Sequence, residues 1–184
     1  MSLTKTPVCN YGEKAKDFNL LSIDNNKVSL IDASGKNGTL IMFICNHCPY
    51  VKAIIKDIAE DVKYLENLGI KSVAIMSNDV KNYPEDSFEN MILFSKLHNF
   101  SFPYLIDETQ EVAKKYGAVC TPDFFGYNKN LELQYRGRIR ELKNLKPTRK
   151  GNSDLSIAME QIAKSGNGPK NQIPSMGCNI KWIK

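Results

Sequence analysis

The chain has 184 residues, with Lys+Arg 25 against Asp+Glu 20 and a formal net charge of +5. Hydrophobic residues at 42% and charged residues at 24% match a globular domain and exclude wholesale disorder. At this length one core buries about 70% of the unfolded surface, so no disulfide or metal staple is needed for folding.

One domain over residues 1–184 is therefore expected. The longest apolar run, Leu40 to Cys45, falls far short of the roughly 20 residues that span a bilayer. The first residues, MSLTKTPVCNYGEK, hold no apolar core of the kind a signal peptide needs. A cytoplasmic protein with no membrane partner is the expectation. The positive charge is local. Arg136, Arg138, Arg140, Lys143, Lys146, Arg149 and Lys150 face one acid, Glu141, within 136–150. So short a strip, with no aromatic residue after Tyr135 for base stacking, reads as a solvated face, and nucleic acid is not an expected partner.

Strand and helix signals alternate along the chain. Phe18 to Leu30 reads as a hairpin about the turn residues Asp24, Asn25 and Asn26. Leu40 to Ile44 is dense enough for a strand covered on both faces. Val51, Ile54, Ile55, Ile58, Val62 and Leu65 then recur at helical spacing until Gly69. Ile70 to Met76 is a second buried strand, which makes a right-handed parallel crossover. Pro84-Glu85-Asp86 opens a helix carrying Met91, Ile92, Phe94 and Leu97, its early acids suiting the helix dipole. Tyr104 to Ile106 is a short strand, and Glu108 to Tyr116 a helix stopped by Gly117. Asp123–Tyr127 and Leu131–Tyr135 form a late hairpin, and Ser153 caps a helix through Ala163. The tail over 166–184, rich in Gly, Asn and Pro, is expected to wrap the surface. The class is α/β, a central mixed sheet flanked by helices with an N-terminal β-hairpin.

Five cysteines, 9, 45, 48, 120 and 178, form no disulfide framework in a chain of this kind. Only Cys45 and Cys48 are neighbours, in Cys45-Asn46-His47-Cys48-Pro49, where the buried strand hands over to the helix. Proline suits the first helical position, which makes Cys48 the N-cap. Its sulfur then faces the unpaired N–H groups of Tyr50 and Val51, and helix-end donors stabilise a thiolate. Cys45 lies within loop reach and can form a disulfide with Cys48. Two other uses of such a pair stay open, a metal site completed by further ligands and inert packing. His47 reads equally as a base or as a partly exposed polar residue. No GxGxxG or GxxxxGK occurs, so no nucleotide or other organic cofactor is implied.

A second feature is Cys120-Thr121-Pro122 before the late hairpin. Taken with FICNHCPYVKAI, NDVKNYPEDSFENM, VCTPDFF, YRGRI and GCNIKW, these segments resemble the thioredoxin-fold, peroxiredoxin-like AhpC/TSA (redoxin) family across nearly the whole chain. The resemblance implies an antioxidant or thiol–disulfide oxidoreductase with Cys48 as nucleophile. It places Thr121 and a cis Pro122 in the substrate groove, with His47 and Pro49 in support. The expected partners are an external dithiol such as a thioredoxin and a protein disulfide or hydroperoxide. By position Cys45 resolves the product on Cys48, and Cys120 is a candidate third redox thiol. Cys178 reads, like Cys120, as a small buried side chain.

The departures from the family are informative. Peroxiredoxins carry Thr or Ser three residues before the thiol and a proline earlier still. Here those positions are Cys45 and Ile41. The hydroxyl that polarises peroxide is missing, so the resemblance favours disulfide exchange over peroxidase action. The arginine that assists peroxidatic thiolates falls on Arg136 or Arg138. A copper carrier on the same fold, using Cys45, Cys48 and a histidine, is the alternative from another class.

Overall fold

A computed structural model describes residues 3–184; residues 1 and 2, the start of the N-terminal segment read above, lie outside it. The strands and helices follow in the order β1 (Leu3–Lys5), β2 (Asn19–Ser22), β3 (Lys27–Ser29), α1 (Leu30–Ala33), β4 (Gly38–Phe43), α2 (Pro49–Asn67) and β5 (Ile70–Met76). After a 3-10 turn at Pro84–Asp86 come α3 (Phe88–Leu97), β6 (Tyr104–Ile106), α4 (Glu111–Tyr116), β7 (Cys120–Thr121), β8 (Asp123–Asn128) and β9 (Leu133–Tyr135). The chain ends with β10 (Leu142–Lys143), β11 (Lys146–Pro147), α5 (Asp154–Ser165) and β12 (Met176–Asn179).

The main sheet runs β3-β2-β6-β5-β4-β8-β9. β4, β5 and β6 are parallel, whereas β2, β3, β8 and β9 join antiparallel. This is the mixed sheet, with its N-terminal hairpin, that the alternation of elements predicts. β4 is buried along its whole length because both faces are covered. Leu40, Met42 and Ile44 point into a core shared with α2, α3 and α5; Ile41 and Phe43 point into one shared with α1 and α4. Alternate residues therefore serve opposite layers, as the strand period of two requires. Val51, Ile54, Ile55, Ile58, Val62 and Leu65 form the buried stripe of α2, as their spacing predicts.

Several boundaries differ from the sequence expectations. Pro84 starts the 3-10 turn, and Ser87, whose side chain accepts from Asn90 N–H, caps α3 instead. α4 begins at Glu111 because Gln110 is left-handed, with φ at 61°. β9 starts at Leu133, after Leu131 has turned at φ 56°.

The tail does more than wrap the surface. β12 pairs antiparallel with both β1 and β7, in a separate three-stranded sheet, and buries Cys178, Ile180 and Lys181. Gly177 makes this possible: a Cβ there would lie 2.0 Å from the carbonyl oxygen of Thr121. Only a residue without a side chain lets the tail lie so close to the β7 backbone.

Three arginines of the basic strip are paired with acids, whereas Lys143, Lys146 and Lys150 are exposed. Arg136 pairs with buried Asp123 at 2.9 Å, Arg138 with Asp154 at 2.8 Å and Arg140 with Asp57 at 2.9 Å. Among the described residues, no helix is long and apolar enough to cross a membrane.

Candidate active site

The site is built on the loop between β4 and α2. Cys48 is the N-cap of α2, with φ −63° and ψ 122°, and Pro49 is the first helical residue. The first helical hydrogen bond, Lys52 N–H to Cys48 O at 3.0 Å, fixes the thiol at the helix end. The loop before it is anchored by Asp86, which sequence reasoning took only as an acid of a helix start. Asp86 accepts the N–H of Asn46 at 2.8 Å and of His47 at 3.3 Å, and the amide of Asn78 at 2.8 Å. Asn46 in turn accepts the hydroxyl of buried Tyr104 at 2.9 Å.

His47 is part of this anchor. Its Nδ1 lies 2.7 Å from Asp86 Oδ2, and its ring stacks on Tyr83 with centroids 5.6 Å apart. The hydrogen bond to Asp86 raises the His47 pKa above its ordinary value. Burial pushes the Asp86 carboxyl up, but its bonds to His47, Asn78 and Asn46 outweigh this and leave it below 3.8. His47 thus helps to position the loop.

Three sulfurs meet around Thr121. Cys48 Sγ lies 3.2 Å from the Thr121 carbonyl oxygen and 3.1 Å from Cys178 Sγ. Cys45 Sγ lies 3.3 Å from the Thr121 hydroxyl. Cys178 arrives there because its strand pairs residue for residue with Thr121. The register is locked on both sides. Ser175 donates its hydroxyl to Pro122 O at 2.8 Å, and Lys181 its N–H to Asn78 Oδ1 at 2.9 Å.

The electrostatics single out Cys48. Its pKa falls to about 5, first through the hydrogen bond from Cys45 and then, against desolvation, through the thiol and N–H of Cys178 and the N–H of Val51. Neighbouring thiols therefore matter more than the helix-end donors. The cap itself makes no side-chain hydrogen bond of ordinary geometry, and Val51 is the smallest of these contributions. Cys45 moves the other way, held well above the usual thiol range by its bond to Cys48, by burial and by the Asp86 charge. Cys178 is pushed up to about 12, by burial and then by Cys48.

Beside the cluster runs a groove of about 470 Å³ whose lining includes Tyr50, Ile54, Pro122, Ile139 and Met176. The Thr121–Pro122 bond is cis, as the resemblance implied. Pro122 lines this groove, whereas Thr121 stands behind it and meets the sulfurs. Cys48 itself has no exposed surface. Cys120, a candidate third thiol that also reads as a small buried side chain, points at the carbonyl of Pro122 at 3.6 Å, and burial drives its pKa up. The thiol brought to Cys48 is instead Cys178, which sequence reasoning missed. The signal was the glycine before it, in GCNIKW. Arg136 and Arg138, the two candidates for one arginine near the thiolate, pair with Asp123 and Asp154.

Ligand atoms of Cys45, His47 and Asp86 also lie within 4.8 Å of one another. A metal held by His47 Nδ1 and Asp86 Oδ2 would displace their 2.7 Å hydrogen bond, and one held by Cys45 would compete with the Thr121 hydroxyl. The donor set fits a hydrogen-bonded anchor better than a ligand set.

The AhpC/TSA family profile matches residues 11–142. An uncharacterized conserved protein from Geobacillus kaustophilus shares 38% identity, covering 100% of this chain and 97% of its own, with a TM-score of 0.94. A hypothetical protein from Sinorhizobium meliloti shares 35%, covering 98% of each chain, with a TM-score of 0.90. The thioredoxin domain of a thiol-disulfide oxidoreductase from Bacteroides vulgatus superposes with a TM-score of 0.59 at 14% identity, covering 73% of this chain and 89% of that one. That last likeness shows the fold, which is thioredoxin-like. No curated protein matches significantly.

Proposed function

The chain belongs to the AhpC/TSA family, and from that premise we propose that it is a thiol–disulfide oxidoreductase with Cys48 as nucleophile. The observation that carries this is the seat of the Cys48 sulfur, at a helix N-cap and 3.1 Å from a second thiol. A depressed pKa keeps it ionised at neutral pH, and the thiolate is the attacking form.

The thiolate attacks one sulfur of a substrate disulfide. A Cys48–substrate disulfide forms, the substrate S–S bond breaks, and its other half leaves as a thiolate. A neighbouring thiol of the chain, assigned by sequence reasoning to Cys45, then displaces the remaining half. The chain is left with an internal disulfide, and the substrate with two thiols. An external dithiol such as a thioredoxin restores the starting state by the same exchange. The groove beside Pro122 receives the substrate.

One observation favours a second reading, a peroxiredoxin-type peroxidase. Cys48 is wholly covered, and a hydroperoxide needs less opening than a protein disulfide. It would transfer one oxygen to Cys48 as sulfenic acid and leave as an alcohol or water; a chain thiol would then expel water to close the disulfide.

The test is turnover of a protein disulfide and of hydrogen peroxide under excess dithiothreitol. Cys48→Ser should abolish both, while Cys9→Ser should keep the wild-type rates. Wild-type turnover by Cys48→Ser would end this reading.

A further inference from the structure

We infer that Cys178, carried in by the C-terminal strand, is the thiol that resolves the intermediate on Cys48, in place of Cys45. The inference rests on Cys48 being the nucleophile. Its ground is geometric. Cys178 Sγ is already 3.1 Å from Cys48 Sγ, so a bond of about 2.05 Å needs an approach of only about 1 Å. The Cys45 sulfur also hydrogen-bonds to Cys48, but it is shared with the Thr121 hydroxyl at 3.3 Å.

The fold spends several features on holding Cys178 there. β12 is tied to β7 by the Cys178–Thr121 and Asn179–Cys120 register. Gly177 permits the close crossing, and Ser175 and Lys181 fasten the strand on either side of the thiol. A small core side chain would need none of this. Met176 also lines the groove beside Pro122, so the strand borders the place where a substrate would lie.

The charges agree with the order of events. At rest Cys178 is kept protonated by burial and by the Cys48 thiolate 3.1 Å away. Once Cys48 is in a mixed disulfide its negative charge is gone, and part of what holds the Cys178 proton goes with it. The Cys178 sulfur then attacks Cys48 Sγ, and its proton passes to the departing substrate thiolate. The Cys48–substrate bond breaks and the Cys48–Cys178 bond forms. Two chain thiols are oxidised, and the substrate disulfide is reduced to two thiols. Cys45 is released from Cys48 in the same way, but it also faces the Asp86 carboxylate, whose charge persists throughout. Its part is to donate to the Cys48 thiolate before attack.

The experiment uses the reduced full chain in a Cys9→Ala background with one equivalent of dithiobis-nitrobenzoate, followed by peptide mapping. The parent should release two equivalents of thionitrobenzoate and yield a peptide cross-linked through Cys48 and Cys178. Cys178→Ser and Cys178→Ala should each release one and retain the adduct on Cys48. Cys45→Ala should still release two. A Cys45–Cys48 cross-link in the parent overturns the inference without relying on any variant folding. So does completion by both Cys178 variants. If Cys48→Ser reacts as the parent does, the nucleophile assignment fails, and the inference fails with it for that separate reason.

Discussion

Oδ2 of Asp86 lies 2.7 Å from Nδ1 of His47, on a carboxylate that also takes the backbone N–H groups of Asn46 and His47. A 3-10 turn 40 residues downstream thereby clamps the loop that presents the thiols.

Removing the Asp86 charge should loosen this clamp. Asp86→Asn keeps the shape but leaves one of the clustered donors without its acceptor, a loss of about 1–3 kcal/mol. His47 is raised, so its share of the stability is present below its unfolded pKa and lost as pH climbs through the folded value. Asp86 is lowered, so its share is present above its unfolded pKa and lost as pH falls through the folded value. Wild type should therefore exceed Asp86→Asn most clearly at mildly acidic pH, in urea unfolding. The His47 ring signals should titrate lower in the variant by NMR. An unchanged His47 titration would show that the clamp is not electrostatic.

The Cys48 thiolate should persist well into acid. Thiolate ultraviolet absorbance should fall with a midpoint near pH 5 in wild type. It reads the charge without requiring a reagent to reach a covered sulfur. Cys45→Ala removes the largest lowering contribution, and its midpoint should move up toward the ~8.5 of a free thiol. Cys178→Ala should move it in the same direction. A wild-type midpoint at the free-thiol value would refute the assignment of Cys48.

The tail crossing should be intolerant of a single methyl group. Gly177→Ala would set a Cβ 2.0 Å from Thr121 O and 3.0 Å from Pro122 Cδ. The first is too close to relieve without moving the backbone of β12 or β7, and overpacking of this kind costs about 1–3 kcal/mol. Displacing Cys178 also withdraws its donors from Cys48, so the Cys48 midpoint should rise as stability falls. A variant with wild-type stability and midpoint would mean the tail can shift without consequence for the site.

How far the sequence reveals this arrangement depends on range. α2 and the two strands beside it follow from local periodicity, because Val51 to Leu65 repeat at helical spacing and β4 is a continuous apolar run. The N-cap position of Cys48 follows from Pro49 alone. The three-stranded sheet of β1, β12 and β7 is not legible. Its strands hold three, four and two residues, too few to show a period. The partnership of Cys178 with Cys48 spans 130 residues and depends on that sheet. Asp86 is hidden differently: an acid after Pro84 and Glu85 looks like helix-dipole decoration until its 40-residue contacts to the Cys48 loop are seen.

Disulfide exchange should outrun peroxide reduction in this chain. The position that carries Thr or Ser in peroxiredoxins is Cys45, and a hydrogen-bond donor aimed at developing charge is worth about 10²–10³ in rate. The Thr121 hydroxyl is turned to Cys45, while the Thr121 group facing Cys48 is a carbonyl, which cannot donate. Attack on a disulfide depends on thiolate fraction and access, and the low Cys48 pKa supplies the first. The covered sulfur opposes this ranking for bulky substrates, so a small model disulfide and a protein disulfide should be compared alongside hydrogen peroxide. Stopped-flow rate constants of the reduced protein should be larger for the small disulfide than for peroxide. Cys45→Thr should raise the peroxide rate and, with Cys178 in place, still close an internal disulfide. A wild-type peroxide rate well above both disulfide rates would reverse the order and make the protein a peroxidase first.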